Sequence, residues 1–153
     1  MSDIASASKK ITVLNVLGNG GLFSKHLPNY EAREQQVASA QLIERGIAQR
    51  KHVVLELGTG GGKSFAGLVP AVIAALETGQ KVLYATYMRS LQGQIAQKDA
   101  PFLSEVMSSV ASRPITFAVI KGRGNYVCLK NMDEMEQRGE FRSPEAAQQF
   151  PAF

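Results

Sequence analysis

The sequence predicts an α/β chain, with helices packed against a mostly parallel sheet around a phosphate-binding loop. Three observations lead there. The glycine-rich run Leu57-Gly58-Thr59-Gly60-Gly61-Gly62-Lys63-Ser64 follows the β-branched, apolar stretch Val53-Val54-Leu55. Behind it, Phe65, Leu68, Val69, Val72, Ile73 and Leu76 recur at the spacing of one helix face. Two more apolar runs, residues 81–86 and 115–120, alternate with helical patterns. That order favours right-handed crossovers and a ligand at the carboxyl edge of the sheet.

The loop chemistry follows from what a polyphosphate needs: many donors at short range, no side chains in the way, and positive charge. Glycines at 58, 60, 61 and 62 let the backbone adopt left-handed dihedrals and turn successive N–H groups inward. A helix beginning near Gly62 adds its unsatisfied first-turn donors and the positive end of its dipole. Lys63 is then placed to reach the β- and γ-phosphates of ATP, and the Ser64 hydroxyl to ligate Mg²⁺. A chance Gly-Lys-Ser turn would require strand, loop and helix all to coincide. Leu57 stands where Gly or Ala is usual and is expected to act through packing.

Composition narrows the classes. With 153 residues, 44% of them hydrophobic, the chain has enough apolar material for one domain with a core. A net charge of +4 suits a nucleic-acid partner without arguing for one unaided. Cys128 is the single cysteine, so no internal disulfide framework is possible. The opening residues carry an early acid and no apolar h-region, and no apolar run reaches the ~20 residues that a bilayer requires. A cytoplasmic protein without membrane attachment is expected.

Taken in order, residues 1–9 are small and polar and read as frayed. Residues 11–17 read as a short strand or an apolar arm, broken by Gly18-Asn19-Gly20-Gly21. Asn29 is a candidate cap for the next helix, with Glu31 in its acidic first turn. Gln36, Ala40, Ile43 and Ile47 share one face of that helix, which turns the Gln36 amide inward. Such an amide is more often a satisfied structural group than a ligand contact. Pro70 interrupts the helix after the loop, and Gly79 is placed to end it. Further helices are predicted over 88–97 and 101–111. From Lys121 onward a basic, glycine-spaced turn leads to Cys128 and then to a charged stretch. Its Asp133-Glu134 pair follows no apolar strand and reads as a solvated helix face.

Four separated blocks together resemble the DinG family, bacterial relatives of XPD-type superfamily 2 DNA helicases. The stretch Tyr30-Glu31-Ala32-Arg33-Glu34-Gln35-Gln36 is similar to the family's adenine-sensing segment. Glu56 through Ser64 resembles helicase motif I, and Thr86 with Leu91-Gln92-Gly93-Gln94 and Lys98-Asp99 resembles motif Ia. Lys121-Gly122-Arg123-Gly124-Asn125-Tyr126-Val127-Cys128 resembles the run that carries the first iron-sulfur ligand in cluster-bearing members. The resemblance spans residues 20–130, and motif I is its most specific block.

The resemblance implies a partial RecA-like P-loop NTPase lobe over residues 29–120, cut off before the Walker B strand. An N-terminal arm (1–28) precedes it, and an insertion of iron-sulfur or cluster-less type begins at 121–153. It also implies nucleotide contacts from Arg33, Gln36 and the loop residues Leu57, Gly58, Thr59, Gly60, Gly61, Gly62, Lys63 and Ser64, with Gln36 reading adenine. Thr86 and Gln92 become contacts to a DNA backbone, against the alternative of helix capping. A [4Fe-4S] cluster needs four thiolates, and Cys128 supplies one. The cluster therefore stays open, and the cluster-less helicases of type IV CRISPR systems, which work with a CRISPR ribonucleoprotein, remain an option. The function implied is ATP-driven 5′ to 3′ translocation on single-stranded or forked DNA. The chain contains no strand ending in Asp-Glu, no second lobe and no arginine finger, so no hydrolysis is expected from it alone. The alternative is a non-catalytic P-loop module that binds nucleotide or DNA. A small P-loop kinase is disfavoured, since no acceptor site or lid is recognisable.

Overall fold

The computed structural model describes residues 10–58, 60–139, 144 and 148, and among these all regular structure is helical. The chain divides into two units at the Ala118/Val119 junction.

The first unit begins with two short helices. In α1 (Val13–Leu17), Thr12 closes a capping box: its hydroxyl accepts from the Asn15 N–H at 3.3 Å, and its own N–H donates to Asn15 Oδ1 at 3.0 Å. These bonds satisfy N-terminal groups that a short helix cannot satisfy internally. The Val13 N–H reaches Glu44 Oε1 on α3 (Glu34–Ala48) at 3.1 Å, tying the two helices together. Helix α2 (Leu22–His26) follows the glycine turn and buries Leu22 and Phe23. Phe23 is the hub of the core. Its ring meets Phe65, Phe102 and Tyr30 edge to face, at centroid distances of 4.9, 5.2 and 5.7 Å, an arrangement that suits the ring quadrupoles.

Helix α4 (Lys63–Thr78) supplies the centre of the unit, burying Ala66, Leu68, Val69, Pro70 and Ile73. It packs chiefly on α3 and ends at Gly79, whose φ of 75° is the left-handed cap expected there. The Arg113 guanidinium donates to the Ala75 carbonyl near that end. Helix α5 (Arg89–Gln94) runs through a π-helical turn, Ile95–Asp99, directly into α6 (Ala100–Met107), which buries Leu103, Val106 and Met107.

The expected α/β architecture, a RecA-like lobe on a mostly parallel sheet, is overturned. Residues 53–57, 81–86 and 115–120 form no strand among the described residues, and Val54, Leu83 and Phe117 are 95%, 83% and 49% exposed. The physical reason is that a helix satisfies its backbone within its own segment, whereas a strand needs a lateral partner for every N–H and C=O. Apolar periodicity identifies a segment that could pair without identifying its partner. Here the core closes chiefly by helix-on-helix contact, with Ile11, Leu27, Tyr30 and Ile115 added from the connecting segments.

Other expectations shift as well. Residues 11–17, read as strand or arm, contain α1, and α2 was not foreseen. Asn29 lies in the left-handed region (φ 59°), and α3 starts later, with Arg33 as its N-cap. Residues 1–9, read from the sequence as frayed, and the loop residue Thr59 lie outside the described residues.

In the second unit, Arg123–Asn125 forms a 3₁₀ turn, and the Lys121 N–H donates to the Tyr126 hydroxyl at 2.9 Å. Helix α7 (Leu129–Arg138) buries none of its residues. Its Glu134 pairs with Lys130 and Arg138 at 3.7 and 4.0 Å, the solvated face read from the sequence. Among the described residues no helix is long and apolar enough to cross a membrane.

Because Phe23 joins three rings from three other segments, Phe23→Ala should lower unfolding free energy by about 3–5 kcal/mol. The half-exposed Leu14, changed to alanine, should alter it by less than ~0.5 kcal/mol. Urea unfolding followed by circular dichroism measures both, and equal losses would contradict the placement of Phe23 at the hub.

Candidate phosphate-binding site

The loop enters α4 through two left-handed glycines. Gly60 has φ 77°, and Gly62, the N-cap of α4, has φ 73°. A side chain at either position would be strained, which is why glycine stands there. Between them the Gly61 N–H donates to the Gly58 carbonyl at 3.3 Å, closing a tight turn. The first intrahelical bond of α4 runs from the Ala66 N–H to the Gly62 carbonyl at 3.0 Å. The N–H groups of Lys63, Ser64 and Phe65 therefore have no acceptor within the helix, and the dipole gives this end partial positive charge. Lys63 is exposed and Ser64 half-buried.

Two side chains from the start of α3 grip the loop. The Arg33 guanidinium donates to the Gly60 carbonyl, and Gln36 Nε2 donates to the Gly62 carbonyl at 3.0 Å. Gln36 is 5% exposed. It lies so close that a Cβ on Gly62 would stand 2.1 Å from its amide nitrogen. Beside this contact is an open cleft of about 430 Å³, lined by Arg33, Glu34, Gln35, Gly60 and Gly61, within the size range of small-ligand sites.

The structure thus brings together Arg33, Gln36, Gly58, Gly60, Gly61 and Gly62 with the start of α4 at Lys63 and Ser64. Leu57 is half-buried at the loop entrance and lies against Gly61. Thr86, half-buried, lies on the irregular segment before α5, and Gln92, half-buried, on α5 itself; neither lines the cleft. Cys128 is exposed in the second unit, at the N-cap of α7. A [4Fe-4S] cluster takes four thiolates, of which this sequence supplies one, Cys128.

Sequence reasoning missed the grip of Arg33 and Gln36 on the loop carbonyls, although the inward face of Gln36 was legible. It also missed the burial of Asp99, named only within the block that resembles motif Ia: this residue is 4% exposed within the π turn and accepts from Gln94 Nε2 at 3.0 Å. Tyr84 lies over α4, where a Cβ on Gly67 would meet its ring at 2.9 Å. A glycine inside a strongly helical pattern was the available signal for such a close approach.

Burial pushes the Tyr84 phenol above its ordinary pKa, and the Asp99 charge adds to the rise. Burial likewise raises Tyr30, with Arg33 opposing it.

No protein-family model matches the chain. The chain is 29% identical over 127 residues to the ATP-dependent DNA helicase YoaA of Haemophilus influenzae, covering 83% of this chain and 19% of that protein. It is 31% identical over 118 residues to the 3′-5′ exonuclease DinG of Bacillus subtilis, covering 77% of this chain and 12% of that protein. It is 39% identical over 100 residues to the ATP-dependent helicase DinG of Mycobacterium tuberculosis, covering 65% of this chain and 14% of that protein. The chain therefore spans less than a fifth of the length of these relatives.

Both raised tyrosines favour the folded state while neutral. In the unfolded chain tyrosine ionises near pH 10, so this contribution is complete below about pH 10 and is lost as pH rises through the higher folded values. Tyr84→Phe should accordingly flatten the alkaline fall in thermal midpoint. An alkaline fall parallel to that of the unsubstituted chain would contradict the packing of the Tyr84 ring over Gly67.

Proposed function

Since the chain belongs to the DinG helicase family, we propose that it supplies the ATP-binding portion of a DinG-type, ATP-dependent DNA helicase. The observation that carries this reading is the left-handed Gly62 at the head of α4. It sets Lys63, Ser64 and the free first-turn N–H groups behind a glycine loop. In this role the loop N–H groups and Lys63 hold the β- and γ-phosphates, and the Ser64 hydroxyl holds Mg²⁺. Bound Mg²⁺ offsets the charge on the transferring phosphates. The cleft beside Arg33 gives the rest of the nucleotide a place to lie.

DNA contact falls to Thr86 and Gln92, and 5′ to 3′ translocation follows the DinG resemblance. The relatives' names divide between helicase and exonuclease. A glycine loop at a helix N-terminus is the machinery of nucleotide triphosphate binding, and nuclease chemistry does not call for it, so the helicase reading is favoured. In the chain itself the only Asp-Glu pair, Asp133 and Glu134, lies on the solvated α7 of the second unit. There Glu134 is engaged by Lys130 and Arg138, and among the described residues no apolar strand of the kind that a catalytic carboxylate requires leads to the pair.

The chain is therefore expected to bind MgATP without turning it over. Lys63→Ala should weaken MgATP binding by at least tenfold in calorimetry. Steady phosphate release from the unsubstituted chain, abolished by Lys63→Ala, would contradict the division between binding here and catalysis elsewhere. Equal affinity with and without Lys63 would remove the phosphate loop as the site.

A further inference from the structure

We propose that the far end of α3 carries a contact surface for the phosphodiester backbone of DNA, built from Arg45, Arg50, Lys51 and His52. The choice of DNA rests on the helicase reading above, and the surface is separate from the nucleotide site. Helix α3 is 15 residues long, so about 22 Å of helix lies between this end and the loop that Arg33 grips.

The backbone gathers the cluster. Helix α3 closes with bonds from the Arg50 N–H to the Ile47 carbonyl at 3.1 Å and from the Lys51 N–H to the Gly46 carbonyl at 2.8 Å, the double closure of a Schellman motif. The chain then doubles back across Gly46, where a Cβ would stand 3.4 Å from the Lys51 carbonyl oxygen and collide with the Val53 side chain. Glycine at this position admits the crossing. Arg45 stands one residue before it, and Arg50, Lys51 and His52 form the turn that leads into it. All four are exposed.

Arg50 is what packing and helix termination leave unaccounted for. Its φ of 54° lies in the left-handed region, which an L side chain enters against steric resistance. Helices α4 and α7 end on glycines in that region, Gly79 at 75° and Gly139 at 64°, whereas α3 ends on an arginine. The helix dipole favours a cation in the last turn, where Arg45 already stands. It gives no reason to put a second one on the strained position. Nor does ion pairing: among the described residues none of the four enters an ion pair. Glu44, the acid beside them in sequence, accepts from the Val13 N–H instead. Cations gathered without a counter-charge repel one another, and a polyanion relieves that repulsion. Guanidinium groups match phosphate oxygens with two parallel bonds, and such backbone contacts are indifferent to sequence and sensitive to salt.

The test uses the full 153-residue chain. Fluorescence anisotropy follows its binding to labelled oligodeoxythymidine across a salt series, and flotation follows its binding to phosphatidylglycerol vesicles. Arg50→Gly keeps the turn and removes the charge, and Arg45→Ala and Lys51→Ala remove its neighbours. Each should weaken oligonucleotide binding at low salt by about fivefold. Each should also flatten the slope of log affinity against log salt by about 0.7. Because Arg50→Gly relieves the left-handed turn, its thermal midpoint should hold or rise, and calorimetric MgATP affinity should stay unchanged. Unaltered oligonucleotide affinity and slope in all three variants would overturn the inference, as would failure of the unsubstituted chain to bind the oligonucleotide. A lower midpoint for Arg50→Gly with unaltered affinity would overturn it by making Arg50 a structural residue. Vesicle binding lost while oligonucleotide binding persists would overturn it in favour of a membrane. Oligonucleotide binding lost in Thr86→Ala and Gln92→Ala but kept in the cluster variants would overturn it and leave the helicase reading standing. Oligonucleotide binding that needs the cluster, in a chain that binds no MgATP, would support the surface and remove the nucleotide reading.

Discussion

The hydrogen bond from the Gln36 amide to the Gly62 carbonyl joins the two halves of the site. On one side lies α3, held in place by its Glu44 carboxylate, which accepts from the Val13 N–H of α1, and by the buried Ala40. On the other lies α4, whose buried residues make it the centre of the first unit. The glycine loop between them has little side-chain packing of its own. Its shape therefore depends on what grips its carbonyls, and both grips come from the start of α3. A site of this kind inherits rigidity from helices and keeps the loop free of side chains, as close approach to a polyphosphate requires.

The remaining geometry follows from that junction. Phe65, two residues beyond Lys63, enters the ring cluster around Phe23, so the base of α4 is fixed by the same core that orders α2 and α6. Tyr84 rests over Gly67 on the next turn. Burial raises the pKa of Tyr84, and the buried Asp99, in the π turn between α5 and α6, adds to the rise. The segment after α4 thus leads back toward the helix that carries the phosphate donors. π turns occur often at functional positions, and this one interrupts the block that resembles motif Ia.

What could be read in the sequence was whatever obeys a local rule. The glycines from Gly58 to Gly62 and the cap at Gly79 answer to dihedral constraints, and the apolar face of α4 answers to helical period. The inward side of Gln36 followed from the same period. The sheet was misread because the runs containing Val54, Leu83 and Phe117 have strand composition, while a strand forms only through lateral bonds that composition does not specify. Helices α1 and α2 were missed because five residues are too few to show a period. The partner of Gln36 was out of reach for a different reason, since a contact spanning 26 residues leaves no mark on the intervening spacing.

On the function proposed above, the loop from Gly58 to Ser64 receives a triphosphate through backbone donors at the head of α4. Amide shift mapping of the isotope-labelled chain during MgATP titration tests it most directly. The largest saturable changes are expected at Gly60, Gly61, Gly62, Lys63 and Ser64, with smaller ones at Arg33 and Gln36. Saturable changes confined to the basic turn around Lys121 and Arg123, with the loop amides unmoved, would contradict it.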